Sequence, residues 1–74
     1  MEVIVGKTYR HFKGMTIKVL CIAKDSENLK ELVIYEHMDT KEIWARDKEM
    51  FLSKVDKEKY PDVKQEYRFE LIHD

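Results

Sequence analysis

Glu31-Leu32-Val33-Ile34-Tyr35-Glu36-His37-Met38 is followed by Asp39-Thr40-Lys41 and then by Glu42-Ile43-Trp44-Ala45-Arg46. Two β-rich runs on either side of a short polar turn read as an antiparallel hairpin. Its register follows from the turn. With His37 facing Glu42, Tyr35 stands opposite Trp44 and Val33 opposite Arg46. Upstream, Asp25-Ser26-Glu27-Asn28 is a polar turn cluster. With Lys24 facing Glu31 across it, Leu20 stands opposite Tyr35 and Ile22 opposite Val33. Directly opposed side chains share a face. One face then carries the row Leu20, Tyr35, Trp44 beside Ile22, Val33, Arg46, and the other carries Cys21, Ile34 and Ala45. A slip of one residue would exchange the two faces. The small apolar set reads as the interior, which leaves Tyr35, Trp44 and Arg46 as a working surface of rings and one cation. The plainer reading has the terminal strands covering that surface, with Tyr9, Tyr67 or Phe69 packed on Trp44 as core.

Outward from the hairpin, Gly6 and Gly14 bracket a segment of strand length. Lys13-Gly14 reads as a tight turn, because glycine takes positive φ without steric penalty. Alternation puts Tyr9, His11 and Lys13 on one face and Thr8, Arg10 and Phe12 on the other. This strand is either an edge offering rings and cations to a ligand, or ordinary patterning around one buried aromatic. Met15 to Lys24 is a β-branched stretch with two alternating faces. Downstream, Asp47 to Ser53 has the polar start and paired apolar residues of a short helical turn. Lys54-Val55 reads as a return to strand. Residues 56–65 form a charged connection broken at Tyr60-Pro61-Asp62. Glu66 to His73 alternates as a last strand. Five or six short strands in 74 residues predict an all-β fold, a small barrel or rolled sheet, with residues 1–74 as one domain. The alternative is an α+β domain with a genuine helix over 47–60.

Composition narrows the function classes. Hydrophobic residues make up 43% and charged residues 39% of the chain. The longest apolar run, Val19 to Ala23, is far short of the roughly 20 residues a membrane helix needs, so no membrane partner is expected. Met1 to Lys7 lacks the basic and apolar regions of a secretory signal. A lone cysteine, Cys21, excludes an internal disulfide framework and suits a reducing cytosol, so a cytoplasmic location is expected. The net charge of −1 is unevenly spread: residues 1–24 carry five basic side chains against one acidic, and residues 25–74 nine against fourteen. A basic stripe could meet phosphates, but the acidic remainder opposes it, so nucleic acid is the less favoured partner.

Motifs for chemistry are sparse. Cys21 sits mid-strand and reads as a buried, inert thiol. His11, His37 and His73 are not spaced as metal ligands, and one cysteine cannot complete a structural zinc site, so no metal is expected. His11, Ser26 and Glu27 have the groups for acid–base or nucleophilic work, but nothing in the sequence brings them together. There is no glycine-rich phosphate loop and no Gly-x-Ser-x-Gly elbow. No catalytic residue and no cofactor is assigned.

Tyr9-Arg10-His11-Phe12-Lys13-Gly14, Asp25-Ser26-Glu27, Leu32-Val33-Ile34-Tyr35, Ile43-Trp44-Ala45-Arg46, Met50-Phe51 and Arg68-Phe69-Glu70 occur in that order. In these motifs the chain resembles an uncharacterised, mainly bacterial family catalogued as domain of unknown function 1653, over about Gly6 to Glu70. Asp25 stands where that family usually has His and Asp47 where it usually has Pro, and the charged stretch 56–65 is longer. The resemblance implies a small SH3-like β-barrel and brings no assigned activity. The expectation is a non-enzymatic cytoplasmic binding module. Its surface comprises Tyr9, His11, Tyr35, Trp44 and Arg46, with Ser26 and Glu27 in a nearby loop, and its ligand is a protein or a small molecule. The alternatives are a homodimer paired through a strand edge in a structural or assembly role, or an accessory subunit of an enzyme.

Overall fold

The hydrophobic alternation resolves into five strands: β1 (Thr8–His11), β2 (Thr16–Lys24), β3 (Glu31–His37), β4 (Ile43–Asp47) and β5 (Phe69–Leu71), with one short helix, α1 (Lys48–Phe51). The structure, a computed structural model, describes residues 2–72. His73, expected to close the last strand, and Met1 of the opening segment lie outside them. All strands pair antiparallel in a single sheet of order β4-β3-β2-β1-β5. β1 is therefore interior to the sheet, between β2 and β5, and not an edge strand. The turn into β2 is built on Gly14 at φ +100. There Gly14 N donates to His11 O at 2.8 Å and His11 N to Met15 O at 2.7 Å.

Both hairpin registers follow the sequence pattern, with one departure. Lys24 faces Glu31, Ile22 faces Val33, Tyr35 faces Trp44 and Val33 faces Arg46. Between Val19 and Cys21 the ladder shifts by one residue, so Val19, not Leu20, stands opposite Tyr35. Leu20 is the extra residue of a β-bulge. Strict alternation would put Ile17 and Val19 on the face opposite Ile22. The bulge resets the phase, so Ile17 and Val19 are buried in the core and Ile22 packs against it.

The small apolar set is not the interior, and of the two readings of the Tyr35 face the covered one holds for Tyr35, packed by Phe69, but not for Trp44, which stays 49% exposed. Tyr35 and Val33 are buried, and with Tyr9, Ile17, Val19, Phe51 and Phe69 they form the core. Cys21 and Ala45 are exposed and Ile34 is half-buried, so the small apolar face is the outer one and Cys21 is not a buried thiol. Curvature explains this. Tyr35 and Phe69 lie on strands separated by two others, yet their ring centroids are 5.7 Å apart. Arg46 of one edge strand puts its guanidinium carbon 5.8 Å from the Phe69 ring of the other. A sheet curled this far needs bulky rings to fill its concave side.

The curl does not become a closed barrel, because β4 and β5 share no ladder. Phe51 of α1 occupies the gap, stacked on Phe69 at 4.1 Å and 6° and edge-on to Tyr9 at 5.4 Å. Asp47 caps α1, its Oδ1 accepting from Glu49 N at 2.9 Å and Met50 N at 3.3 Å. A helix over 47–60 does not form. Lys54 bridges to Tyr67, and Val55 is buried while its N–H donates to Glu66 O at 2.9 Å, returning the chain to the sheet within one turn. Among the described residues no helix is long and apolar enough to cross a membrane.

Candidate functional site

The period-2 geometry of the strands puts Tyr35 and His37 of β3 on the concave face, with Trp44 and Arg46 of β4 beside them. Together with Met15 and Phe69 these side chains line a groove of about 270 Å³. Its floor is the buried pair Tyr35 and Phe69. Its wall is Trp44, 49% exposed and braced edge-to-face by His37 at 5.2 Å. Asp39 and Glu42 also line the groove. Both engage the turn, Asp39 Oδ1 accepting from Thr40 N at 2.8 Å and Glu42 Oε1 from Thr40 Oγ1 at 3.4 Å.

Arg46 and His11 complete the lining. Arg46 Nε donates to the Tyr35 hydroxyl at 3.4 Å, and its guanidinium lies over the Phe69 ring. Among the described residues it forms no salt bridge. His11 is 7% exposed, stacked on Phe12 at 4.5 Å and edge-on to Phe69 at 4.9 Å. Its Nδ1 accepts from Lys13 N at 3.1 Å, so the neutral ring carries its proton on Nε2. His11 lines both this groove and a second one. Burial lowers the His11 pKa from 6.5 to about 4, helped by the positive charges of Arg46, Arg68 and Lys13 and by His37. His11 is thus a neutral donor at physiological pH.

A second groove of about 360 Å³ opens from the same point, sharing His11, Met15 and Arg46 with the first. Phe12 N donates to Arg68 O at 2.9 Å, which sets the Arg68 guanidinium over the Phe12 ring at 6.0 Å. The Lys13 and Lys59 ammonium groups each lie 5.5 Å from the Tyr60 ring centroid. This groove is cationic where the first is aromatic.

Of the residues expected at a site, His11, Tyr35, Trp44 and Arg46 converge on the first groove. Tyr9 does not, being buried in the core with its hydroxyl accepting from Ile4 N at 3.0 Å. Ser26 and Glu27 are exposed in the turn between β2 and β3 and line neither groove. Several lining residues escaped notice, although their signal was present. His37 lies two positions after Tyr35 and Glu42 two before Trp44, so strand parity already assigns them to this face. Lys59, Tyr60 and Arg68 carried no such signal, because a non-regular segment brings them in.

Fold and site define a small, open, all-β domain whose concave side holds an aromatic groove running into a cationic one. The chain belongs to the family described as a protein of unknown function (DUF1653), whose profile matches residues 7–71. No curated protein and no solved structure matched it.

Proposed function

We propose that this protein is a non-enzymatic, cytoplasmic binding module for a ligand that carries a flat apolar group beside an anionic one. The observation that carries this reading is the Arg46 guanidinium. It lies over Phe69 against the Tyr35 hydroxyl, half-buried and without a salt bridge among the described residues. A partly desolvated cation without an anion is costly, and aromatic neighbours return only about 0.5–2 kcal/mol of that. A bound carboxylate or phosphate would supply the missing partner through the guanidinium fork, with His11 Nε2–H as a second donor. The ligand's flat group would then lie against Trp44. The cytoplasmic part rests on Cys21, a free and exposed thiol suited to a reducing compartment.

Trp44 is the only tryptophan, so its fluorescence reads this site alone. Free protein is expected to emit as a solvent-accessible indole and to be quenched by acrylamide. Phenylacetate or phenyl phosphate should perturb the emission where neutral benzyl alcohol does not. Arg46→Met should weaken anion binding about tenfold, the loss of one charge-assisted hydrogen bond. A blue-shifted, quencher-resistant Trp44, or unchanged affinity in Arg46→Met, overturns the reading.

A second reading has its own observation. The convex face presents Cys21, Ile34 and Ala45 beside Ile43, which is 63% exposed at the β4 edge. An apolar face next to an unpaired edge suits self-association into a homodimer. Sedimentation at micromolar concentration decides it: a dimer that Ile43→Lys dissociates supports it, and a monomer removes it.

A further inference from the structure

We propose that the ligand of this site is a nucleoside phosphate, with its base in the Trp44 groove and its phosphate in the adjoining groove among Lys13, Lys59 and Arg68. This rests on the reading above and names the ligand class. The first argument is continuity. The two grooves meet at His11, Met15 and Arg46, and their volumes of about 270 and 360 Å³ are each on the scale of one part of a small ligand, not of a polymer.

The second argument is the unbalanced charge. Lys13, Arg46, Lys59 and Arg68 all line the second groove, and none forms a salt bridge among the described residues. The acid that lines it is Asp56, whose Oδ1 already accepts from Glu58 N at 3.0 Å and Lys59 N at 3.4 Å. Arg68 spends its Nε on Ser53 Oγ at 3.2 Å, which leaves its terminal nitrogens. Clustered like charges repel, and a phosphate dianion relieves that repulsion in three or four pairs at once. The same positive field adds to burial, the largest cause, in lowering the basicity of His11.

The third argument is polarity. Asp39 and Glu42 line the aromatic groove and not the cationic one. They would repel a second anion but can accept hydrogen bonds from the ring N–H groups of a base. Of the two grooves, Asp39 and Glu42 line only the aromatic one and Lys13, Lys59 and Arg68 only the cationic one, which favours the base in the first and the phosphate in the second. The two acids also oppose a continuous strand of nucleic acid, whose next phosphate would meet those carboxylates. Stacking of a base on an aromatic side chain contributes about 1–3 kcal/mol and tolerates any base.

Calorimetric titration of the full chain with AMP, GMP, CMP and UMP tests this. At least one nucleotide is expected to bind about tenfold more tightly than its own nucleoside and than ribose 5-phosphate. Lys13 and Lys59 are exposed, so Lys13→Ala/Lys59→Ala should fold normally. It should remove most of the nucleotide-over-nucleoside preference, Arg46 and Arg68 remaining, while leaving phenylacetate binding within about twofold, since that ligand pairs with Arg46 and His11 and not with the two lysines. If phenylacetate binds but no nucleotide exceeds its nucleoside, the nucleotide assignment fails and the aromatic–anion reading stands. If neither class binds, both fail. An octamer of deoxyadenylate that binds more tightly than every mononucleotide, with a steeper salt dependence, overturns the mononucleotide in favour of a strand.

Discussion

His11 is the residue at which fold and site meet. Its ring is held between Phe12 and Phe69, and its Nδ1 is taken by the Lys13 N–H, so protonation has to break that hydrogen bond and put a charge among cations. The folded-state pKa of about 4 lies below the unfolded value of 6.5. Between those values the unfolded chain binds the proton more readily, so stability is complete above about pH 6.5 and falls as pH drops toward 4. The slope cannot exceed about 1.4 kcal/mol per pH unit for one group. Urea titrations of the native protein and of His11→Asn between pH 7 and 5 isolate the effect. Asparagine can still accept from Lys13 N but does not titrate, so the difference between the two curves should shrink as pH falls. Parallel curves would mean that His11 protonates freely in the folded state.

At the scale of elements, β2 shows what can and cannot be seen in a sequence. The turns at 25–30 and 38–41 were legible because polar clusters interrupt β-rich runs, and the register across the second held, whereas that across the first held only as far as Cys21. The Asp47 start of α1 was legible for the same reason. The bulge was not, since Leu20 fits an apolar alternation as well as its neighbours do. The choice of inner face was not legible either. Small residues suggest an interior only if the sheet closes tightly, and the curl that favours Tyr35 and Phe69 over Cys21 and Ala45 arises from contacts distant in sequence. The bulge makes a deletion experiment specific. Removing Leu20 turns β2 into a regular ladder in which Ile17, Val19 and Ile22 keep their inward facing. Removing Lys18 instead turns Ile17 outward relative to Val19. The Leu20 deletion should therefore give a cooperative thermal transition, whereas the Lys18 deletion should lose several kcal/mol, on the order of a buried Ile side chain, and with it the transition. Equal damage from both would show that β2 is not phased by a bulge.

For the molecule as a whole, the shape depends on side chains more than on backbone pairing. An open sheet has no hydrogen bonds to hold its edges together, and here the edges approach through Arg46, Phe69 and the Phe51 ring stacked between helix and sheet. Phe51 is 1% exposed and touches rings on β1, β3 and β5. Truncating such a residue to alanine costs about 3–5 kcal/mol. A domain of this size has only about 4–11 kcal/mol to lose. Phe51→Ala should therefore lower Tm by roughly 15–30 °C or prevent folding. Phe51→Leu keeps more of the volume and gives the sharper test. Without the flat stack on Phe69 the two edges lose their common anchor, whereas the ladder between β2 and β3, the longest in the sheet, remains. Native-state hydrogen exchange of Phe51→Leu should accelerate at the amides of β4 and β5 well before those of β2 and β3. Uniform acceleration across all five strands would place the hold on the curl in the backbone ladders instead, and would detach the shape of both grooves from the ring cluster beneath them.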